Sequence, residues 1–162
     1  MTTSAPSRTV PDLSFLLTHA GHVLATQMTA AFAELGITPR GYCVLFHALE
    51  TERTQIELAA IADLDKTTMV VTVDELEKMG LAERRPSSTD RRARVITVTD
   101  AGRQAVIEGT QIADRVHRDA LDALTEEQRR VLTDALTLLV NGHLSTPVES
   151  GRTVRRARQK KI

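Results

Sequence analysis

Residues 54–99 read TQIELAAIADLDKTTMVVTVDELEKMGLAERRPSSTDRRARVITVT, and the succession of patterns in this stretch decides the fold. Thr54 and Glu57 form a capping box, in which each side chain bonds a backbone N–H of the other, and this pattern predicts the start of a short helix. Asp65 predicts the cap of a second helix, which runs to about Met79. Two helices joined by a short turn are typical of a helix-turn-helix.

A basic β-hairpin follows this pair of helices. Residues 82–85 and 94–98 are rich in extended, β-branched positions, and the segment 86–90 between them has the composition of a turn. Between residues 81 and 99 two acidic side chains are outnumbered by five arginines: Arg84, Arg85, Arg91, Arg92 and Arg94. The whole pattern predicts a winged helix-turn-helix, whose second helix can enter a DNA major groove while the hairpin contacts the backbone or minor groove.

The rest of the chain is predicted to be helical. Apolar residues recur every three or four positions over 13–35, and Thr38-Pro39 opens a helix to about Glu50. Thr99 caps a long helix to about residue 124, and a second capping box at 125–128 opens the last one, to about residue 140. The fold class is therefore mainly α with a small β-wing.

Composition excludes several other classes of protein. Of the 162 residues 41% are hydrophobic, and the single cysteine excludes a disulfide framework and a multi-cysteine zinc site. No stretch resembles a signal peptide or a membrane span, so we expect a cytoplasmic protein. Aromatic side chains are too few to hold single-stranded nucleic acid by base stacking. We find no nucleotide-binding glycine motif and no nucleophile-base pair, and we predict no enzyme activity, cofactor or metal site.

The charge is distributed unevenly along the chain. Lysine and arginine number 21, as do aspartate and glutamate, but residues 151–162 carry six basic side chains and no acid. This tail either adds non-specific attraction to phosphates or is a disordered end without a function.

Within the winged pattern the chain resembles the multiple-antibiotic-resistance regulator (MarR) family of bacterial repressors. The resemblance extends from about Leu13 to Val140 and rests on four motifs: Asp65-Lys66-Thr67-Thr68, Asp74-Glu75-Leu76-Glu77-Lys78-Met79-Gly80-Leu81-Ala82-Glu83-Arg84-Arg85-Pro86, Asp90-Arg91-Arg92-Ala93-Arg94 and Thr97-Val98-Thr99-Asp100-Ala101-Gly102-Arg103. It implies a homodimer, held by its first, fifth and sixth helices, that binds a palindromic DNA operator. It also implies a small-molecule effector, aromatic or carboxylated, that releases the DNA.

The resemblance and the composition of the two ends together divide the chain into five segments. They are a flexible N-terminus (1–12), a dimerisation helix (13–36), the winged helix-turn-helix (37–99), two further dimerisation helices (100–144) and a basic disordered tail (145–162).

Carried over by position, the resemblance predicts the residues that contact DNA: Thr38, Lys66, Thr67, Thr68, Val70, Val71, Arg84, Arg85, Ser87, Asp90, Arg91, Arg92 and Arg94. Asp90 is expected to orient an arginine, since a carboxylate beside phosphate is repelled. The family often has polar or basic residues where this chain has Val70, Val71 and Glu75. Valines can contact thymine methyl groups, which predicts a site read partly by apolar contact and shape. Val70 is equally compatible with a place in the core.

The predicted effector pocket takes its residues from the first two helices: His19, His22, Tyr42, Phe46 and His47. Cys43 and His47 lie on one helix face, which leaves three functions open beside inert packing: a redox-sensing thiol, part of a metal site, or a pocket wall. The alternative predictions are therefore a metal- or redox-responsive regulator, and a winged-helix interaction module that has lost specific DNA binding.

Overall fold

The computed structural model describes residues 11–87 and 93–148. These residues form six α-helices, a short 3₁₀ helix and a two-stranded antiparallel sheet. The helices are α1 (Leu13–Phe32), α2 (Pro39–Glu50), α3 (Gln55–Ile61), α4 (Lys66–Lys78), α5 (Asp100–Leu121) and α6 (Glu126–Asn141), and the strands are β1 (Ala82–Pro86) and β2 (Arg94–Val98). The predicted mainly α fold with a winged helix-turn-helix is confirmed.

Local side-chain caps begin the helices where the sequence predicted them. Thr38 caps α2 ahead of a proline, and Asp65 caps α4. Thr54 and Thr125 form complete capping boxes with Glu57 and Gln128, respectively. Each cap bonds backbone N–H groups that the first turn of a helix leaves free.

Two helices end earlier than predicted. A single helix was expected over 13–35, but α1 ends at Phe32 and is followed by the 3₁₀ helix Ala33–Leu35. The 3₁₀ helix ends there because Gly36 adopts a left-handed conformation, with φ of 72°. The prediction for α5 extended to residue 124, whereas the helix ends at Leu121 and a turn leads into the cap of α6.

The described residues divide into two compact units, with the boundary after Ala120. The first unit contains the hydrophobic core, and its largest fully buried side chains are Phe32, Val44, Leu45, Leu58, Met69, Val73 and Ile96. These residues come from α1, α2, α3, α4 and β2, so the helix-turn-helix and the base of the wing share one core.

The wing is joined to the chain that enters α3. Strands β1 and β2 pair with Ala82 opposite Val98 and Pro86 opposite Arg94. The backbone N–H of Ile96 donates to the carbonyl of Arg53 at 3.2 Å, next to an isolated bridge between residues 54 and 95. The sheet is thereby anchored beside the helix-turn-helix.

Apolar side chains on two helices are left uncovered by the described residues of their own units. In α1 only Phe32 is buried, while Leu13 and Leu16 are 51% and 54% exposed. In the second unit α6 buries no residue, and Val131 and Leu132 are exposed. None of the described helices is both long enough and apolar enough to cross a membrane. The predicted N-terminal segment and basic tail lie largely outside the described residues.

Candidate nucleic-acid interface and adjoining cleft

The first turn of α4 is held by its cap. The carboxylate of Asp65 accepts hydrogen bonds from the backbone N–H groups of Thr67 and Thr68 at 2.9 and 3.0 Å, and from the Thr68 hydroxyl at 2.6 Å. These bonds, that of the Thr68 hydroxyl first, lower the pKa of the Asp65 carboxyl. The cap leaves Lys66 and Thr67 exposed at the N-terminal end of α4. This end of a helix attracts anions because it carries the positive end of the helix dipole.

The two sides of α4 differ in character. One side is buried in the core through Met69, Thr72, Val73 and Leu76. The opposite side carries an exposed row, which we call the outward stripe, formed by Thr67, Val70, Val71 and Asp74. Val70, which the sequence left undecided between core and surface, is 36% exposed, and Val71 is 51% exposed. The two valines give this surface more capacity for apolar contact than for hydrogen bonding.

Arg84 of β1 is bound to side chains of α3 and α4. Its Nη2 lies 2.7 Å from Asp74 Oδ1, and its Nη1 pairs with Glu77 Oε2. Its Nε donates to Gln55 Oε1 at 3.2 Å, and its backbone N–H donates to Glu77 Oε1 at 2.7 Å. The Arg84 side chain is 25% exposed, so a predicted DNA contact is engaged within the protein.

The other predicted wing residues differ in accessibility. Arg85 is 60% exposed and pairs with Glu83 of its own strand at 2.8 Å. Arg94 is exposed at the start of β2. Ser87 is buried, and its hydroxyl donates to Glu52 Oε1 at 2.8 Å, so it does not offer a free surface group. Three further predicted contacts lie outside the described residues: Asp90, Arg91 and Arg92.

Three of the predicted effector residues belong to one aromatic row on α2. The ring centroids of Tyr42 and Phe46 are 5.9 Å apart, and those of Phe46 and His47 are 5.4 Å apart. Tyr42 also packs on Phe32 at 5.1 Å, and its hydroxyl lies 3.0 Å from that of Thr110 on α5. The row therefore joins α2 to α1 and α5.

The structure does not bring the two α1 histidines to this row. His19 and His22 are exposed, and the ring of His19 stacks on Phe15 at 5.4 Å. Within the described part of the chain, no ring contact joins either histidine to Tyr42, Phe46 or His47.

A cleft of about 820 Å³ lies beside α4, between α1 and the start of α2. It is lined by Gly21, Leu24, Ala25, Met28, Thr29, Thr38, Pro39, Arg40, Thr67, Thr68, Val71, Thr72 and Glu75. Its volume is in the range typical of small-molecule pockets, about 300–1,000 Å³. Four of the residues predicted to contact DNA therefore also line this cleft: Thr38, Thr67, Thr68 and Val71. The predicted effector residues do not line it.

Comparison with solved structures places this architecture among known regulators. CouR from Rhodococcus jostii RHA1 bound to p-coumaroyl-CoA is 29% identical, with a TM-score of 0.73 over 85% of this chain and 96% of that one. A MarR-family transcriptional regulator from Rhodococcus sp. RHA1 is 27% identical, with a TM-score of 0.76 over 88% and 100% of the two chains. The repressor CouR bound to a 23-mer DNA duplex is 25% identical, with a TM-score of 0.72 over 79% and 92%.

The sequence model described as the MarR family matches residues 35–93, which contain α2, α3, α4 and β1. Over this segment the chain matches the MarR family. The resemblance carried by the Asp65-Lys66-Thr67-Thr68 motif and the wing arginines is thereby confirmed, and the outward stripe lies within the matched segment.

Cys43 has the surroundings of a packing residue. It is half-buried, and burial raises the pKa of its thiol, which lowers the fraction present as reactive thiolate. His47, one turn along α2, bonds Glu50 through Nδ1 at 3.1 Å. No cluster of three metal-ligating side chains occurs within residues 11–87 and 93–148.

Sequence reasoning missed several residues that shape this site. Arg40 provides a cation in the cleft, and Gln55 and Glu77 hold Arg84. Their signal in the sequence was weak, because polar residues on predicted helices are normally solvated. Leu24 and Met28 were predicted only as part of the apolar side of α1, although they line the cleft.

Proposed function

We propose that this protein is a dimeric, ligand-responsive transcriptional repressor that binds a palindromic DNA operator through α4 and the wing. One observation carries the proposal. The outward stripe of α4 is exposed, the opposite side of the same helix is fixed in the core, and α4 contacts β1, which carries the exposed Arg85. A helix supported in this way can be inserted into a major groove without losing its position. The transcriptional regulators among its relatives support a regulatory role and not an enzymatic one.

Base recognition combines apolar contact with backbone contacts. Val70 and Val71 lie where they can pack on thymine methyl groups, and Thr67 supplies a hydroxyl. Lys66, Arg85 and Arg94 are exposed and contribute phosphate contacts, with the wing residues Asp90, Arg91 and Arg92 predicted from the sequence. We leave Ser87 out of this set because its hydroxyl is buried.

The uncovered apolar side chains support the dimer. Leu13 and Leu16 of α1 are more than half exposed, and so is Val131 of α6. Exposed apolar surface of this kind marks an interaction site. A second copy of the chain covers it. The α4 helices of the two copies, related by a two-fold axis, then bind DNA half-sites about 34–36 Å apart. We expect dimerisation through the segments 13–36 and 100–144.

We assign the effector to the cleft between α1, α2 and α4. The apolar wall formed by Leu24 and Met28 suits an aromatic ring, and Arg40 suits a carboxylate. CouR, a relative, is bound to p-coumaroyl-CoA, an aromatic acyl compound. Of the effector residues predicted from the sequence, Tyr42, Phe46 and His47 remain a second predicted ligand surface, which His19 and His22 do not join.

The first experiment tests whether the protein recognises one DNA sequence among many. The purified protein selects duplexes from a random library over several rounds, and we expect enrichment of one inverted repeat. Titration of that duplex and of a scrambled one then measures specificity. For the Val70→Ala/Val71→Ala variant we expect specific affinity to fall about tenfold or more, with non-specific affinity retained. Val148→Ala, at a 93% exposed valine, is the matched control.

Two results would contradict this proposal. A library from which no sequence is enriched would favour an interaction module that has lost DNA binding. If Val148→Ala lost as much specific affinity as Val70→Ala/Val71→Ala, the loss would not be due to α4, and a role of α4 in base recognition would be contradicted.

A second titration tests the effector. Addition of p-coumarate or 4-hydroxybenzoate to the operator complex is expected to weaken DNA binding, and Arg40→Gln is expected to reduce this response. Arg103→Gln, at an exposed arginine on α5, should respond as the wild type does. Ligand binding that leaves operator affinity unchanged would contradict a ligand-controlled repressor. Loss of DNA affinity after chelation or peroxide treatment, in contrast, would favour the metal- or redox-responsive alternatives.

A further inference from the structure

We propose that Arg84 is a positioning residue, which holds the wing on α4 and neutralises the acidic side chains of the recognition helix, and that it does not bind phosphate. The inference rests on the proposed function, because it concerns how α4 and the wing are prepared for DNA. It also removes Arg84 from the DNA contacts predicted from the sequence.

The partners of Arg84 join three elements. Its guanidinium pairs with Asp74 and Glu77 of α4, and its Nε bonds Gln55 at the start of α3. Nη2 also lies 3.5 Å from the carbonyl oxygen of Val70. Each of the three guanidinium nitrogens therefore has a partner in the helix-turn-helix. A phosphate contact would require the arginine to leave partners that already satisfy its charge.

The charges on α4 explain why these contacts matter for DNA. Asp74 belongs to the outward stripe and is 59% exposed, with Glu75 next to it in the sequence. A carboxylate placed beside a phosphate backbone is repelled. Arg84 supplies the cation that offsets Asp74 and Glu77, so the stripe can approach DNA with its valines.

The neighbouring arginine provides a contrast within the same strand. Arg85 is 60% exposed, and its one ion pair within the described residues is with Glu83, also on β1. Among the residues that the structure describes, it joins no second element of the fold. Arg85 is thus the matched control for an arginine that is available to phosphates.

A mutational cycle separates the two roles. Affinity for the selected operator is measured for wild type, Arg84→Gln, Asp74→Asn/Glu77→Gln, and the triple variant that combines them. We expect Arg84→Gln alone to lose affinity about tenfold. In the Asp74→Asn/Glu77→Gln background, the same change should cost less than about threefold, since no acidic partner is then left unpaired. Arg85→Gln should cost the same in both backgrounds.

A phosphate contact by Arg84 would give the opposite result in this cycle. If Arg84 binds phosphate, removing Asp74 and Glu77 frees it, and Arg84→Gln then costs at least as much in that background as in the wild type. That outcome, or an Arg84→Gln variant with unchanged affinity, would overturn the inference while leaving the proposed function intact. A wild-type protein that discriminates no DNA sequence would instead overturn the proposed function.

A second measurement avoids substitution, in case Arg84→Gln impairs folding. In NMR spectra of the wild type, the Nε–Hε signal of Arg84 should keep its chemical shift and its slow exchange with solvent when operator DNA is added. The corresponding signal of Arg85 should move. A shift of the Arg84 signal as large as that of Arg85 would contradict a positioning role.

Discussion

The ring of Tyr42 packs directly on the backbone of Gly109, so that a β-carbon added to residue 109 would lie 2.5 Å from Tyr42 Cδ2. It would also lie 3.1 Å from Cε1 of Phe32. Helix α5 can approach α1 and α2 this closely only because residue 109 has no side chain.

Gly109→Ala should therefore destabilise the protein, although alanine favours helices. We expect a loss of about 1–3 kcal/mol in the free energy of unfolding from overpacking, partly offset by about 1 kcal/mol of helix propensity. Chemical denaturation measures it. Gly21→Ala on α1 is the control, because its added β-carbon meets no atom within 4 Å and should leave stability equal or higher. Equal effects at both positions would contradict close packing at Gly109.

The hydroxyl groups of Tyr42 and Thr110 should be coupled energetically. The Thr110 hydroxyl donates to the carbonyl of Val106 at 2.8 Å, which makes Tyr42 the donor in the 3.0 Å bond between the two side chains. We expect Tyr42→Phe to cost about 0.5–1.5 kcal/mol of stability. In a double-mutant cycle with Thr110→Val the two losses should not add. Additive losses would mean that the hydrogen bond contributes nothing.

The cap of α4 predicts a pH dependence. Because hydrogen bonds lower the pKa of Asp65 in the folded protein, its contribution to stability is complete above the pKa of an unfolded aspartate, about 3.9, and is lost as the pH falls through the lower folded value. The stability difference between wild type and Asp65→Asn should be constant from about pH 5 to 7 and shrink below about pH 4.

Carboxyl NMR titration gives a direct check of the same cap. Thr68→Val should raise the pKa of Asp65, since the Thr68 hydroxyl is its strongest hydrogen-bond donor. Thr133→Val in α6, whose hydroxyl bonds the carbonyl of Arg129, is the control and should leave the Asp65 titration unchanged. A normal Asp65 midpoint in the wild type would contradict the cap.

Cys43 should react slowly with thiol reagents. Burial raises its pKa, so less thiolate is present at pH 7 than for a free cysteine. We expect alkylation of the folded protein to be at least about tenfold slower than that of the denatured protein. Peroxide should affect operator binding equally in wild type and Cys43→Ser. Fast labelling of the native protein would restore the redox-sensing alternative.

Comparison of these features with the sequence shows what local chemistry can predict. The caps at Thr38, Thr54, Asp65 and Thr125 were predicted correctly, because a cap depends on residues within one helical turn. Strand positions were also predicted to within one residue, since β-branched residues and a turn segment mark them locally. The mainly helical winged fold followed from the order of these elements.

Features that join distant segments were not predictable in this way. Arg84 and Asp74 are ten positions apart on different elements, and only the placement of β1 beside α4 makes them partners. The cleft depends on the placement of α1 beside α4, which no periodicity reveals. Gly109 gave no signal in the sequence because its role is to leave space for Tyr42.

Helix α4 borders the cleft along one side and carries the outward stripe along another, and Thr67 and Val71 belong to both surfaces. A helix of 13 residues is about 20 Å long and moves as one body. A ligand in the cleft and a bound DNA duplex would therefore both act on the position of α4. The coupling between the two sites is then reciprocal. If the small molecule lowers the affinity for DNA by a given factor, bound DNA must lower the affinity for the small molecule by the same factor.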